Sequence, residues 1–344
     1  MTNLSISYIS TPDFVVRCYH ILSCFEIPIH LLGAYVILFE TPVSMKSVKW
    51  NFMNAHFWSV LLDWTISILT VPYLLLPAMA GLSMGLLTSI GVPIRFHTYI
   101  FDCVIATAFT SLIGIAENRL YILFMRFHWW RKVRIPFLIL HYLFPPLCFV
   151  FLFFNIPNQK TAIETLKKTM QIDPLIFEYE LFVLAEDFRV VLTCYTIFFT
   201  VYTLEFMIFA CLLVINLEKM TKDTKLSQRT MEMQKNLLKA VMIQIFTPYI
   251  LVALPLFYVG FSVVLDYYNQ ILNNICFMIV SLHGLASTIV MLMIHKPYRQ
   301  FCQKVFCLKF KMFSVGNGEN SVNPGIAKEL ELNNIPAADL DSVE

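Results

Sequence analysis

The chain has 344 residues, of which 58% are hydrophobic and 14% charged, with a formal net charge of +2. Soluble domains carry about a quarter charged residues, so this balance excludes an ordinary soluble domain. The small net charge also gives no reason to expect a nucleic-acid partner.

A spanning helix needs about 20 mostly apolar residues. Seven runs meet that need, over residues 14–39, 55–80, 93–123, 135–154, 188–217, 238–264 and 272–295. They are continuous rather than alternating, which argues for helices and against strands. The expected fold is an all-α membrane protein, a seven-transmembrane helix bundle. Residues 1–13 are expected as a short extracellular segment and 14–295 as the bundle. Residues 296–313 are expected as a juxtamembrane amphipathic helix and 314–344 as a disordered acidic tail.

The first segment holds no Lys or Arg, and the run after it is too long for the core of a cleaved signal. That run reads as a retained signal anchor. Asn3-Leu4-Ser5 is a glycosylation acceptor. Arg17, His20 and Glu26 fall in the first run and Asp63 in the second. Pro28, Pro72, Pro77, Pro248 and Pro255 punctuate the runs. Proline is tolerated inside a membrane because neighbours satisfy the freed carbonyls. The resulting kinks either pack the bundle or shape a cavity.

"GLSMG", residues 81–85, matches a nucleophile-elbow pattern around Ser83. An elbow needs a strand before the serine and a helix after it. A proline-rich apolar run precedes this one, so the glycines read as a helix cap and turn. Ser83 is expected in a loop near the outer surface with no helix to bury it. A proteolytic pairing with His283 of the seventh run is rejected on that ground. No phosphate loop, His-Glu-x-x-His or Cys-x-x-Cys occurs, so no enzyme, metal or cofactor is expected.

The third run opens with His97, Tyr99 and Asp102, which are candidates for ligand contact or plain packing residues. It ends in Glu117-Asn118-Arg119 and is followed by Arg126, Arg131, Lys132 and Arg134. Arg119 reads either as an anchor snorkelling to the phosphates or as part of a switch. In the second reading Glu117 pairs locally or with a neighbouring helix in a shut state and lets go in an open one.

Ionisable groups inside a membrane are functional candidates by default. Asp63, Glu205 of the fifth run and His283 therefore stand out. Each either bonds a neighbouring helix or belongs to a proton or ion path. Seven of the nine cysteines lie in the runs and the long fourth loop has none, so an external disulfide framework is not expected. Cys302 and Cys307, just past the last run, are acylation positions or plain free thiols.

Basic residues orient the chain. Lys46 and Lys49 lie in the first loop, and Lys219, Lys222, Lys225, Arg229, Lys235 and Lys239 around the fifth. Lys296, Arg299, Lys304, Lys309 and Lys311 follow the last run. The alternate loops are poorer, with Arg95 alone in the second and a mainly acidic fourth. The N-terminus is expected outside and the C-terminus in the cytoplasm. Leu226, Met233, Leu237 and Val241 form a stripe that extends the sixth run as an amphipathic stalk. Phe301, Val305, Leu308 and Met312 form another, with Gln300, Gln303, Lys304 and Lys311 opposite, suited to the lipids of the inner leaflet.

"FEIPIHLLGAYVILFETPVSMKSVKWNFMNAHFWSVLLDWTIS", residues 25–67, resembles the start of the nematode serpentine receptors of class H. The resemblance continues through "VPYLLLPAMAGLSMGLL", the "ENR" step and "HKPYRQF", to about residue 310. It implies a G-protein-coupled-receptor-like chemoreceptor with an external small-molecule ligand and a heterotrimeric G-protein partner. It implies a multi-pass protein of the plasma membrane, in the cilia of sensory neurons. Glu117, Asn118 and Arg119 are similar in position to the Asp-Arg-Tyr step of rhodopsin-like receptors, with Leu120 departing at the last place. Arg119 then looks like the arginine that meets the G protein, with Arg131, Lys132 and Arg134 beside it. Pro297 and Tyr298 stand near the place of an Asn-Pro-x-x-Tyr motif without matching it. A homo- or heterodimer leaves no mark in the sequence. The alternatives are a seven-span ligand-gated channel with its N-terminus inside and, third, a transporter.

Overall fold

The computed structural model describes residues 7–125, 129–170, 174–222 and 228–305. Asn3, Arg126, Lys225, Leu226, Cys307 and the expected acidic tail lie outside the described residues. Residues up to Arg299 form one compact unit. The backbone is helical over 296–305.

The first helix, α1 (Pro12–Phe39), starts with Pro at its first position and with Thr11 accepting from the amide of Phe14 at 3.3 Å, a normal cap. The second, α2 (Lys46–Trp64), runs into a π-helical turn over Thr65–Thr70. Two short strands follow, β1 (Pro72–Leu75) and β2 (Ala80–Ser83), then the single turn α3 (Leu86–Ser89). The third span is α4 (Ile94–Leu120) with a π turn to Met125. The fourth is α5 (Trp130–Phe154), which carries Pro136, Pro145 and Pro146. The fourth loop holds α6 (Gln159–Thr169) and β3 (Phe182–Val183). Then come α7 (Phe188–Lys222), α8 (Gln228–Val264), α9 (Gln270–Ser281) and α10 (His283–Ile294).

Six of these stretches are long and apolar enough to cross a membrane, counting α9 and α10 as one interrupted span. With α2 they form a seven-helix bundle. The more polar α2 sits inside, packed against α1, α4 and α10. Its buried His56, Ser59 and Asp63 therefore meet protein rather than lipid, as polar groups at that depth must. The central α4 packs against α2, α5, α7 and α8.

Two expectations are corrected. The second span starts at Lys46 and leaves the helix at Thr70, not over 55–80. Val71 enters the left-handed region (φ 44°) and Pro72 follows, so the ladder cannot continue. The apolar residues beyond form two short strands at one end of the all-α bundle. β1 pairs antiparallel with β2, Pro72 opposite Ser83 and Leu75 opposite Ala80. β2 pairs with β3, Ala80 opposite Val183. A Cβ on Gly81 would stand 2.7 Å from the Tyr73 carbonyl oxygen, so the strands close only on glycine. Ser83 is consequently buried, not exposed in a loop.

The seventh span breaks at Leu282, where no proline stands. The amides of Gly284 and Leu285 turn to the Asp63 carboxylate of α2, at 3.0 and 2.8 Å. A carboxylate at a helix N-terminus satisfies orphan donors and matches the helix dipole. The same carboxylate accepts from His30 Nε2 of α1 at 3.2 Å, and His283 Nδ1 stands 2.9 Å from it. Asp63 is fully buried. Thr288 donates to the Gly284 carbonyl at 2.8 Å and touches His30 Nδ1 at 3.2 Å. His56 Nε2 lies 3.0 Å from the His30 carbonyl, which only accepts, so Nε2 carries the proton. Close approach makes this possible: a Cβ on Gly33 would fall 2.6 Å from Thr288 Cγ2, and one on Gly284 2.5 Å from Asp63 Oδ2.

Gly284→Ala should therefore cost about 1–3 kcal/mol of stability. Thermal unfolding of the detergent-solubilised chain should show a lower midpoint than for Gly114→Ala, whose Cβ meets nothing within 4 Å. Equal midpoints would mean that the helices are not held this close.

Candidate functional site

One end of the bundle carries the sheet and the other the C-terminal end of α4. At the sheet end a cavity of about 910 Å³ lies between α4, α7, α8, α9 and the strands. That volume is within the usual range of small-molecule sites, about 300–1,000 Å³. Most of its lining is apolar, with Phe101, Ile105, Phe109, Phe199 and Phe277 prominent. Its buried polar residues near the sheet include Ser83, His97 and Asp102. Tyr195 of α7 donates to Asp102 Oδ1 at 2.6 Å. Ser83 donates to the Thr70 carbonyl at 2.7 Å and meets His97 Nδ1 at 2.7 Å. Since the serine has one proton and the carbonyl takes it, His97 Nδ1–H donates to the serine oxygen.

The strands roof this cavity with Leu74, Leu76, Met79 and Phe182. Polar groups from neighbouring elements tie the roof down. Gln270 donates to the Leu74 carbonyl at 3.0 Å and Asn273 to that of Leu76 at 3.2 Å. Gln159 of α6 pairs with both the amide and the carbonyl of Val183, at 2.9 Å each, as a neighbouring strand would. Asn274 donates to the Ile9 carbonyl at 2.8 Å. The eight described cysteines are free thiols, so hydrogen bonds from side-chain amides rather than disulfides hold the roof among the described residues.

At the other end of α4, Glu117, Asn118 and Arg119 are all buried, Arg119 with 4% exposure. Snorkelling is therefore corrected: Arg119 turns inward. Glu117 takes its partners from α5, not from Arg119. Arg134 Nε lies 2.9 and 3.0 Å from its two oxygens and Trp130 Nε1 2.8 Å from one. Arg134 Nη2 also donates to Asn118 at 2.7 Å, and its guanidinium covers the Tyr121 ring at 4.3 Å. Arg119 Nε and Nη2 have no hydrogen-bond partner among the described residues. Nearby, His295 Nε2 bonds Gln244 of α8 at 2.9 Å. Tyr298 reaches Thr41 at the end of α1 at 2.7 Å.

The remaining sequence candidates divide. His97 and Asp102 line the cavity, whereas Tyr99 turns away and donates to the Pro146 carbonyl of α5 at 3.0 Å. Asp63 and His283 meet in the core. Glu205 pairs instead with His141 of α5 at 2.7 Å. Arg131 and Lys132 are exposed. Ser83 meets His97 and not His283, and among the described residues no carboxylate bonds His97 Nε2, so its environment is that of a packing residue. Sequence reading passed over Tyr195, Trp130, His30 and Thr288. Their partners are distant in the chain, and no spacing marks such pairs.

A cavity at one end and a buried arginine at the other are joined by the central helix of a seven-helix membrane bundle. The family description "Serpentine type 7TM GPCR chemoreceptor Srh" matches residues 10–308, and the chain belongs to that family. It is 22% identical over 315 residues to "Serpentine receptor class H-72" of Caenorhabditis elegans, covering 87% of each chain.

Arg134→Ala would leave the buried Glu117 carboxylate without its cation. Loss of one partner of a buried pair costs about 3–5 kcal/mol, so surface yield and melting midpoint should fall. Adding Glu117→Gln should recover part of the loss, because no charge is then stranded. If the double variant is as unstable as Arg134→Ala alone, the Glu117 charge is not what Arg134 supports.

Proposed function

We propose that this chemoreceptor holds an external small molecule in the sheet-end cavity and activates a heterotrimeric G protein at its arginine end. One observation carries the reading. The helix α4 lines the cavity with His97, Asp102 and Phe109 and, about 15 Å of helix rise beyond Phe109, bears Arg119, whose buried Nε and Nη2 have no hydrogen-bond partner among the described residues. An unpaired buried cation is costly, so a conformation that offers it acceptors is favoured once a partner supplies them. A ligand that binds that conformation better shifts the population towards it. Moving a two-state balance from 1:99 to 99:1 takes about 10⁴-fold preferential binding, which ligand and G protein share.

In this reading the N-terminus and the sheet face outward, Asn3 is glycosylated and the basic loops are cytoplasmic. The Glu117–Arg134 pair holds the shut state. The outward movement is assigned to α8, with Pro248 and Pro255 in its apolar stretch, and it bares Arg119 beside the exposed Arg131 and Lys132. Residues 296–313 lie along the inner leaflet, with Cys302 and Cys307 as acylation positions. The sensory cilium is the site of action.

Cells expressing the chain with a chemosensory G protein would be exposed to a chemical panel, recording G-protein dissociation and membrane current together. The expected response is abolished by a G-protein blocker. Arg119→Ala should remove it at equal surface expression, and Glu117→Gln should raise the ligand-free signal severalfold. A fast current that survives the blocker would make the protein a channel instead.

A further inference from the structure

The cavity has walls of unequal exposure. Its roof is tied down to α9 and α6 by the hydrogen bonds given above, and Leu76, Val263 and Phe277 pack into one cluster beneath it with Met79 and Phe101. Its side wall is different. Every exposed lining residue belongs to α7, or to α8 and the residue after it, from Thr196 and Thr200 to Phe257 and Phe261. Towards the bundle centre these two helices are zipped together. Thr203 and Tyr249 hydrogen-bond at 2.6 Å, and Phe206 stacks on Tyr249 at 4.9 Å. One turn further on, the rings of Phe199 and Phe257 still meet edge to face at 5.4 Å, and beyond that contact the cavity reaches the surface through the exposed Phe261 and Val264. Gly260 lines this stretch, and a Cβ built on it meets nothing within 4 Å.

The slot is flanked by Leu204, Phe257, Phe261 and Val264, all exposed and apolar. On a membrane-spanning helix such a surface faces acyl chains rather than water. Inside, the polar end of the cavity is the Asp102 carboxyl, itself 3% exposed. Tyr195 engages one of its oxygens, and among the described residues no hydrogen bond reaches the other. No Lys or Arg lines the cavity.

We infer that the cavity is loaded from the bilayer through the gap between α7 and α8, and that its occupant is a membrane-partitioning amphiphile. Its apolar body fills the aromatic chamber, and its hydrogen-bond-donating, non-anionic head meets Asp102. An anionic head would find no cation and a buried carboxyl instead, which is unfavourable in a dry site. Partitioning concentrates such a molecule beside the slot before it binds. The inference rests on the cavity being the ligand site of the proposed function. It places the slot in the outer leaflet if the sheet faces outward.

The full-length chain in phosphatidylcholine nanodiscs would be photolabelled with diazirine-bearing dodecylamine, dodecanol and dodecanoate, and the labelled peptides read by mass spectrometry. The amine and the alcohol should label the α4 and α7 segments around Asp102 and Tyr195, and dodecanoate about tenfold less. Gly260→Trp, which plugs the slot without a backbone clash, should slow that labelling about tenfold with an unchanged melting midpoint. Asp102→Asn should narrow the gap between the amine and dodecanoate and leave the entry rate alone. Equal labelling rates in Gly260→Trp and the parent, equal labelling by dodecanoate, or label confined to the outside of the bundle would each overturn the inference. Labelling without any G-protein response would keep the portal and remove the signalling role. A G-protein response to water-soluble chemicals that is equally fast in Gly260→Trp would keep the receptor and remove the portal.

Discussion

Asp63 accepts two backbone amides and one imidazole, with a second imidazole in contact, from a position with no exposure at all. In a membrane interior no water takes over such a duty, so each of these groups must find protein. The carboxylate divides the last span at Leu282, because a charged acceptor competes well with the carbonyls one turn back. It also ties α10 to α1 and α2. The direction of α9 follows from that break, and α9 supplies Gln270, Asn273 and Asn274, which hold the roof and the N-terminal segment. The direction of α10 follows too, and α10 leads to His295 and Tyr298 at the arginine end. One buried charge thus sets the geometry of both ends.

The helix α4 runs between those ends, enclosed by four neighbours. Its sheet-end residues make a cavity wall, and its far end carries the buried Arg119. The contrast between neighbours is informative. Glu117 is held by Arg134 and Trp130, while Arg119, two residues on, points into the bundle with Nε and Nη2 unpartnered among the described residues. Helical spacing separates i and i+2 by about 200°, so the two side chains sit on different faces. A pair adjacent in sequence therefore acts on different elements, α5 for the acid and the bundle interior for the base.

Much of this was legible in the residues. Long apolar runs, the charge asymmetry of their flanks and the isolated acids within them led to seven spans and to Asp63, Asp102 and Glu117–Arg119 as residues to watch. Where the reading failed, tertiary structure overrode a local signal. The run over 71–85 is apolar, yet it forms a hairpin, because Val71 and Pro72 end the helix and β3 pairs with β2. Tyr99 shares a helix end with His97 and Asp102, but about 3.6 residues per turn places it against α5 instead of the cavity.

Composition and periodicity alone settled that this chain crosses a membrane as helices, since backbone groups in hydrocarbon have no other local solution for a single segment. Only the folded bundle decided which buried polar groups meet. Asp63 with His30 and His283, Glu117 with Arg134, Ser83 with His97 and Asp102 with Tyr195 are separated in the chain by 14 to 220 residues. Their encounters depend on how seven helices turn about their axes, and the break at Leu282, imposed by a residue on another helix, could not be read from the segment that contains it.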